Sequence, residues 1–131
     1  MSNAPYLALL RELATSVRFV TIGSAGLVLL GETHALHDVD IVLAPGELEA
    51  FATWAKARGS ITVWGEPWGG EWNERALAGK FYVRAMIDGL QVDATFEFPY
   101  DVPMLILDAR IIDGIPVCPE RVLRESRAAR K

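Results

Sequence analysis

The sequence predicts an α+β fold, a mixed β-sheet flanked by helices in a single domain spanning residues 1–131. Three observations point to it. Short β-rich runs alternate with stretches of helical period. A strand, a tight turn and a helix follow one another near the start of the chain. Asp88-Gly89 separates two strand-like runs, and that dipeptide is favoured in the type I′ turn of an antiparallel hairpin. At 131 residues and 14.4 kDa the chain has room for one core and none for a second catalytic domain. Its 51% hydrophobic content excludes a disordered or fibrous chain.

The elements follow in order. Tyr6, Leu9, Leu10, Leu13 and Val17 recur at three- and four-residue steps and define the buried side of an opening helix. A strand over 18–22 stops at Gly23-Ser24, where Ser24 is placed to cap an apolar helix running through Leu30 and closed by Gly31. Val39 to Leu43 reads as the second strand. Pro45 then suits a first helical turn, Glu47 and Glu49 its positive end, Lys56 and Arg58 its negative end, and Gly59 its stop. Residues 60–64 form a third strand, and 65–79, rich in glycine and tryptophan with weak periodicity, a loop. Strands are expected over 81–87 and 90–98, paired antiparallel through the Asp88-Gly89 turn, and an edge strand over 110–115. Pro119 opens a final helix whose late arginines suit its C-terminal end.

Charge narrows the function. The net charge is minus 4 and the pI about 5.1. From Cys118 onward five basic residues meet two acids, which leaves the tail at plus 3 and the rest at minus 7. Such a body excludes a broad surface for a phosphate backbone. The basic tail reads as a solvated helix face rather than an RNA contact. A lone cysteine, Cys118, allows neither an internal disulfide nor a cysteine-rich zinc cage, the pattern of a cytoplasmic protein. The apolar stretches break well short of the roughly 18 residues of a membrane span, so no membrane role is expected.

The chemistry-bearing residues are carboxylates. Side chains alternate along a strand, so Asp38 and Asp40 project together while Val39 and Ile41 face the other way. The same rule puts Gln91, Asp93, Thr95 and Glu97 on one face and Leu90, Val92, Ala94, Phe96 and Phe98 on the other. If neighbouring strands bring Asp93 to about 5 Å from the first pair, each like-charge contact costs roughly 3 kcal/mol at an effective dielectric of about 20. A hard divalent cation with oxygen ligands, Mg²⁺ foremost, neutralises such a cluster and keeps positions open for substrate phosphates. At Gly23-Ser24 the missing side chain admits a close approach, and the helix amides that follow attract anionic oxygens. Together metal and amides would clamp one triphosphate.

In this order (Gly23-Ser24 opening a helix, the hydrophobic-flanked Asp38-Val39-Asp40, then Asp93 on a later strand) the chain resembles the nucleotidyltransferase superfamily related to DNA polymerase beta. The stretch TIGSAGLVLLGETHALHDVDIVL, from Thr21 to Leu43, is similar to that of antibiotic nucleotidyltransferases and the minimal nucleotidyltransferase group, and the likeness covers about residues 18–97. The resemblance implies a transferase that moves a nucleoside monophosphate from a nucleoside triphosphate, ATP among the candidates, to an acceptor hydroxyl, releasing pyrophosphate. Asp38, Asp40 and Asp93 would hold two Mg²⁺ ions, Asp93 would also help activate the acceptor, and Gly23 and Ser24 would bind the terminal phosphates. Asp88 and Glu97 lie near Asp93, but Asp88 fits the turn better and Glu97 falls late on the strand. Thirteen residues separate Ser24 from Asp38, towards the long end of the family spacing, and no helical domain of the kind that often completes the acceptor site is expected within the 131 residues. The acceptor, small molecule or macromolecule, is therefore open.

Other residues carry a functional and a plain reading side by side. Lys80 and Arg84 share a strand parity and would steady nucleotide phosphates, or stand solvated. His34 and His37 invite zinc but lack a cysteine partner nearby, so loop packing fits them better. Trp64, Trp68 and Trp72 would stack a base or a ring-shaped acceptor, face a protein partner, or cap the core. The alternative to an enzyme is a non-catalytic domain of the same kind: an antitoxin-like protein bound to a helical partner, a homo-oligomer, or a module that binds nucleotide without turning it over.

Overall fold

The computed structural model describes residues 2–80 and 82–129, with side chains at the C-terminal end described as far as Ser126. The elements run α1 (Ala4–Leu13), β1 (Phe19–Ile22), α2 (Gly23–Leu29), β2 (Val39–Leu43), α3 (Leu48–Lys56), β3 (Ser60–Val63) and β4 (Glu66–Pro67). After these come β5 (Tyr82–Ile87), β6 (Leu90–Thr95), α4 (Val102–Leu107), β7 (Arg110–Ile112), β8 (Ile115–Val117) and α5 (Glu120–Ala129). The strands form one sheet in the order β4-β3-β5-β6-β2-β1-β8-β7. It is mixed as expected: β2 with β6 and β1 with β8 run parallel, the other neighbours antiparallel.

Alternation divides the sheet's two faces. Val39, Ile41, Leu43, Val83, Ala85, Ile87, Val92 and Ala94 point to one face, where the apolar sides of α1 and α3 cover them. The helical spacing at the start of the chain was therefore a packing signal, since Tyr6, Leu9, Leu10 and Leu13 all lie in that core. Val20, Ile22, Val42 and Val117 point the other way and meet Leu27 of α2, Leu105 of α4, and Val122 and Leu123 of α5. That second cover stops short. The β5 and β6 side chains on the same face are Tyr82, Arg84, Met86, Gln91, Asp93 and Thr95, none of them fully buried and all but Met86 carrying a polar group. A polar half-face is left beside the apolar one.

Several expectations shift. Pro45 does not lie in the first turn of α3: Gly46 takes φ +84°, and Leu48 is the first helical residue. Ser24 is not a cap but the second residue of α2, with the helix beginning at Gly23 and no side-chain bond capping it. The single edge strand over 110–115 is a hairpin, because Asp113-Gly114 adopts φ +53° and +79° and turns the chain back. Asp88-Gly89, the pair that predicts the β5–β6 hairpin, has nearly the same angles, +50° and +79°. The loop over 65–79 contains β4 and a fully buried Leu77. The strand expected over 90–98 ends at Thr95, and α4 stands in the stretch to which the sequence assigned no element. Phe81, the first residue of the strand expected over 81–87, and Arg130 and Lys131 of the basic tail lie outside the described residues.

Candidate functional site

Asp40 and Asp93 are brought together by register. In the parallel β2–β6 pair Asp40 stands opposite Asp93, on the half-covered face. Asp38, one residue before β2, has the parity of Asp40. One carboxylate oxygen from each of Asp38, Asp40 and Asp93 lies within 4.8 Å of the others, and all three residues are partly exposed. Uncompensated, two such charges at 4.8 Å repel by roughly 3 kcal/mol at an effective dielectric of about 20. Asp88 sits in the hairpin turn and Glu97 lies beyond β6, so neither joins the cluster.

β1 brings the glycine turn to the same place. Ile22 pairs with Asp40 across the antiparallel β1–β2 ladder, and Gly23 follows with φ +63°. A Cβ on Gly23 would lie 3.1 Å from Asp40 Oδ2. Glycine is thus required twice, for the left-handed backbone and for the space in front of the carboxylate. Three hard oxygen donors with that space before them suit Mg²⁺ in kind.

Part of the cluster's charge is met from within the chain. Arg84, on β5, is the register partner of Asp93 and donates from Nε to Oδ1 at 2.8 Å and from Nη2 to Oδ2 at 3.2 Å. Gln91 Nε2 also donates to Oδ2, at 3.1 Å. The bond to Asp93 holds the Arg84 guanidinium above its ordinary pKa against the opposing effect of burial, and the charge of Asp38 adds to it. The guanidinium lies 5.2 Å from the Tyr82 ring.

A cleft of about 540 Å³ opens over this half-face, with Asp40, Asp93 and Arg84 in its lining and Tyr82, Phe98 and Tyr100 as aromatic wall. Phe98 and Tyr100 lie with ring centroids 5.2 Å apart, tilted by 34°, and pack against the second core. Alternation assigned Phe98 to the opposite face; because β6 ends at Thr95, that alternation no longer holds there and Phe98 lines the cleft instead. Tyr82 and Tyr100 were not singled out by the sequence reading. The available signal was their aromatic character on either side of the strand that carries Asp93.

The remaining candidates fall elsewhere. Lys80 precedes β5 and stands with Nζ 5.5 Å from the Trp64 ring, outside the cleft lining. Trp68 and Trp72 pack partly buried against the first core, and Lys56 lies 5.0 Å from the Trp72 ring. Neither histidine belongs to a possible metal-ligand cluster among the described residues. His34 bonds to Glu32 at 3.1 Å. The loop carrying the histidines is pinned by α1: Tyr6 Oη donates to the His37 carbonyl at 2.8 Å, while Asn3 donates to the His34 carbonyl at 2.6 Å and accepts from the Leu36 amide at 3.0 Å. These bonds fix the backbone up to the residue before Asp38. No helix among the described residues is long and apolar enough to cross a membrane.

No protein-family model and no curated protein matches the chain. A solved structure does: that of a "putative nucleotidyltransferase" from Thermotoga maritima, with a TM-score of 0.70 at 19% identity, covering 98% of this chain and 86% of that one. A likeness at this identity speaks to the backbone, and the architecture described above is a nucleotidyltransferase-like α+β fold.

Proposed function

We propose that the chain is a magnesium-dependent nucleotidyltransferase of the small, single-domain kind. The observation that carries this reading is the meeting of Asp38, Asp40 and Asp93 within 4.8 Å beside the Gly23 bend, in a fold of matching architecture. Asp38 and Asp40 would hold the cation, with Asp93 as the third ligand; two ions is the number the family resemblance implies. Magnesium, when bound, supplies positive charge against the transferring phosphate. Gly23 and Ser24 orient the β- and γ-phosphates of a nucleoside triphosphate such as ATP, and Arg84 faces the same cleft. Asp93 takes the proton of the acceptor hydroxyl. The acceptor oxygen forms a bond to the α-phosphorus as the bond to the leaving pyrophosphate breaks. Tyr82, Phe98 and Tyr100 offer flat apolar surface to a base or an acceptor ring.

The second reading is a module that binds nucleotide, or a protein partner, without transfer. It is favoured by one feature: both Asp93 oxygens already accept hydrogen bonds from Arg84 and Gln91. Calorimetry with Mg²⁺ and each nucleoside triphosphate, followed by a pyrophosphate-release screen across acceptor classes, separates the two. Transfer predicts binding with release that needs both metal and acceptor. Binding with no release across the screen selects the second reading.

A further inference from the structure

We propose that Arg84 is the resident counter-cation of the acid cluster, and that a divalent cation completes its ligand set only by drawing Asp93 out of Arg84's grip. The proposal rests on reading the three acids as a metal site, and adds a rival held by the chain itself. Arg84 grips Asp93 with a two-pronged bond, 2.8 Å to Oδ1 and 3.2 Å to Oδ2, from the facing position of the antiparallel β5–β6 ladder. A cation shared with Asp38 and Asp40 needs one of those two oxygens, so guanidinium and metal compete for the same negative charge.

The pair is built to exchange. The Arg84 side chain is 34% exposed and lines the open cleft, so release returns its charge to solvent rather than burying it alone. The face of Tyr82 gives the guanidinium a second resting contact. Gln91, uncharged and bonded to Oδ2, keeps Asp93 oriented after Arg84 leaves. A released Arg84 stands where polyphosphate oxygens would enter, so nucleotide and metal each ease the binding of the other.

The test is a Mn²⁺ titration of the nucleotide-free protein, with free ion read by electron paramagnetic resonance. R84M is expected to bind Mn²⁺ about five- to tenfold tighter than the parent chain, and Q91M, which removes an orienting bond but no charge, to show no tightening. Equal or weaker binding by R84M overturns the proposal. If R84M shows no cooperative melt, R84K, which keeps the charge without the planar fork, takes its place with a smaller tightening expected; equal affinity is again fatal. Mn²⁺ bound by neither protein rejects the metal site and the proposal together. Pyrophosphate release by the parent chain with unchanged Mn²⁺ affinity in R84M rejects the proposal alone. Tightened binding without transfer to any acceptor supports the competition and rejects the transferase reading.

Discussion

Asp40 and Asp93 face each other in the parallel β2–β6 ladder, so their carboxylates leave the sheet side by side on the face that the helices only half cover. The strands that make the core on one face therefore make a charged cluster on the other. Most of what is proposed for this chain follows from that pairing.

Asp40→Asn removes one charge from the cluster while keeping its shape. Pyrophosphate release is expected to fall by about three orders of magnitude or more. The metal-free melting temperature should be unchanged or higher, because repulsion within the cluster is relieved. Activity near the parent level would remove Asp40 from the proposed chemistry.

Gly23→Ala adds a methyl group 3.1 Å from Asp40 Oδ2 at a backbone φ of +63°. Left-handed backbone at a non-glycine residue costs about 1–2 kcal/mol, to be read as a lowered midpoint in urea. Nucleoside triphosphate affinity, measured by calorimetry, should fall further than stability does. A variant of full stability and full affinity would show that the bend needs no glycine.

The sequence disclosed the acids more fully than it disclosed their surroundings. Alternation along a strand is local, so the shared faces of Asp38 with Asp40 and of Gln91 with Asp93 could be read directly, as could the buried side of α1. Strand order is not local. Nothing local sets β6 parallel to β2 with Asp40 opposite Asp93, so only the resemblance implied that the three acids meet. The Arg84–Asp93 bond depends likewise on cross-strand register, so alternation alone leaves Arg84 as a phosphate ligand or a solvated strand residue. Asp113-Gly114 carried the same turn signal as Asp88-Gly89, but the flanking runs are only three residues each, too short to stand out as strands. The tryptophans stand out by size, yet Trp68 and Trp72 serve the core, and the aromatic wall of the cleft falls to Tyr82, Phe98 and Tyr100.

Tyr100→Ala and Trp64→Ala should therefore part company. Tyr100 lines the cleft with Asp40 and Asp93, whereas Trp64 is exposed beside Lys80, outside the lining. Loss of the Tyr100 ring is expected to weaken nucleotide or acceptor binding by about 1–3 kcal/mol, the size of a base-stacking contact. Trp64→Ala should leave both within a factor of two. The reverse order, from calorimetry and initial rates, would return the ring site to the tryptophan loop.

Cys118 reports on the second core. Burial pushes its thiol up to about 11, so the folded state favours the neutral form. With the folded value above the ordinary 9.0, its contribution to stability is complete below about pH 9 and is lost as pH rises towards 11. Urea midpoints should fall across that alkaline window in the parent chain and less so in Cys118→Ala. The thiol should resist a disulfide reagent at pH 8 until denaturant is added.

Anomalous diffraction from crystals soaked in Mn²⁺ with a non-hydrolysable nucleoside triphosphate tests the central claim most directly. An anomalous peak is expected within ligand distance of carboxylate oxygens of Asp38 and Asp40, with the terminal phosphates at Gly23 and Ser24. A cleft without manganese at saturating ion, or a nucleotide seated away from these acids, would contradict it.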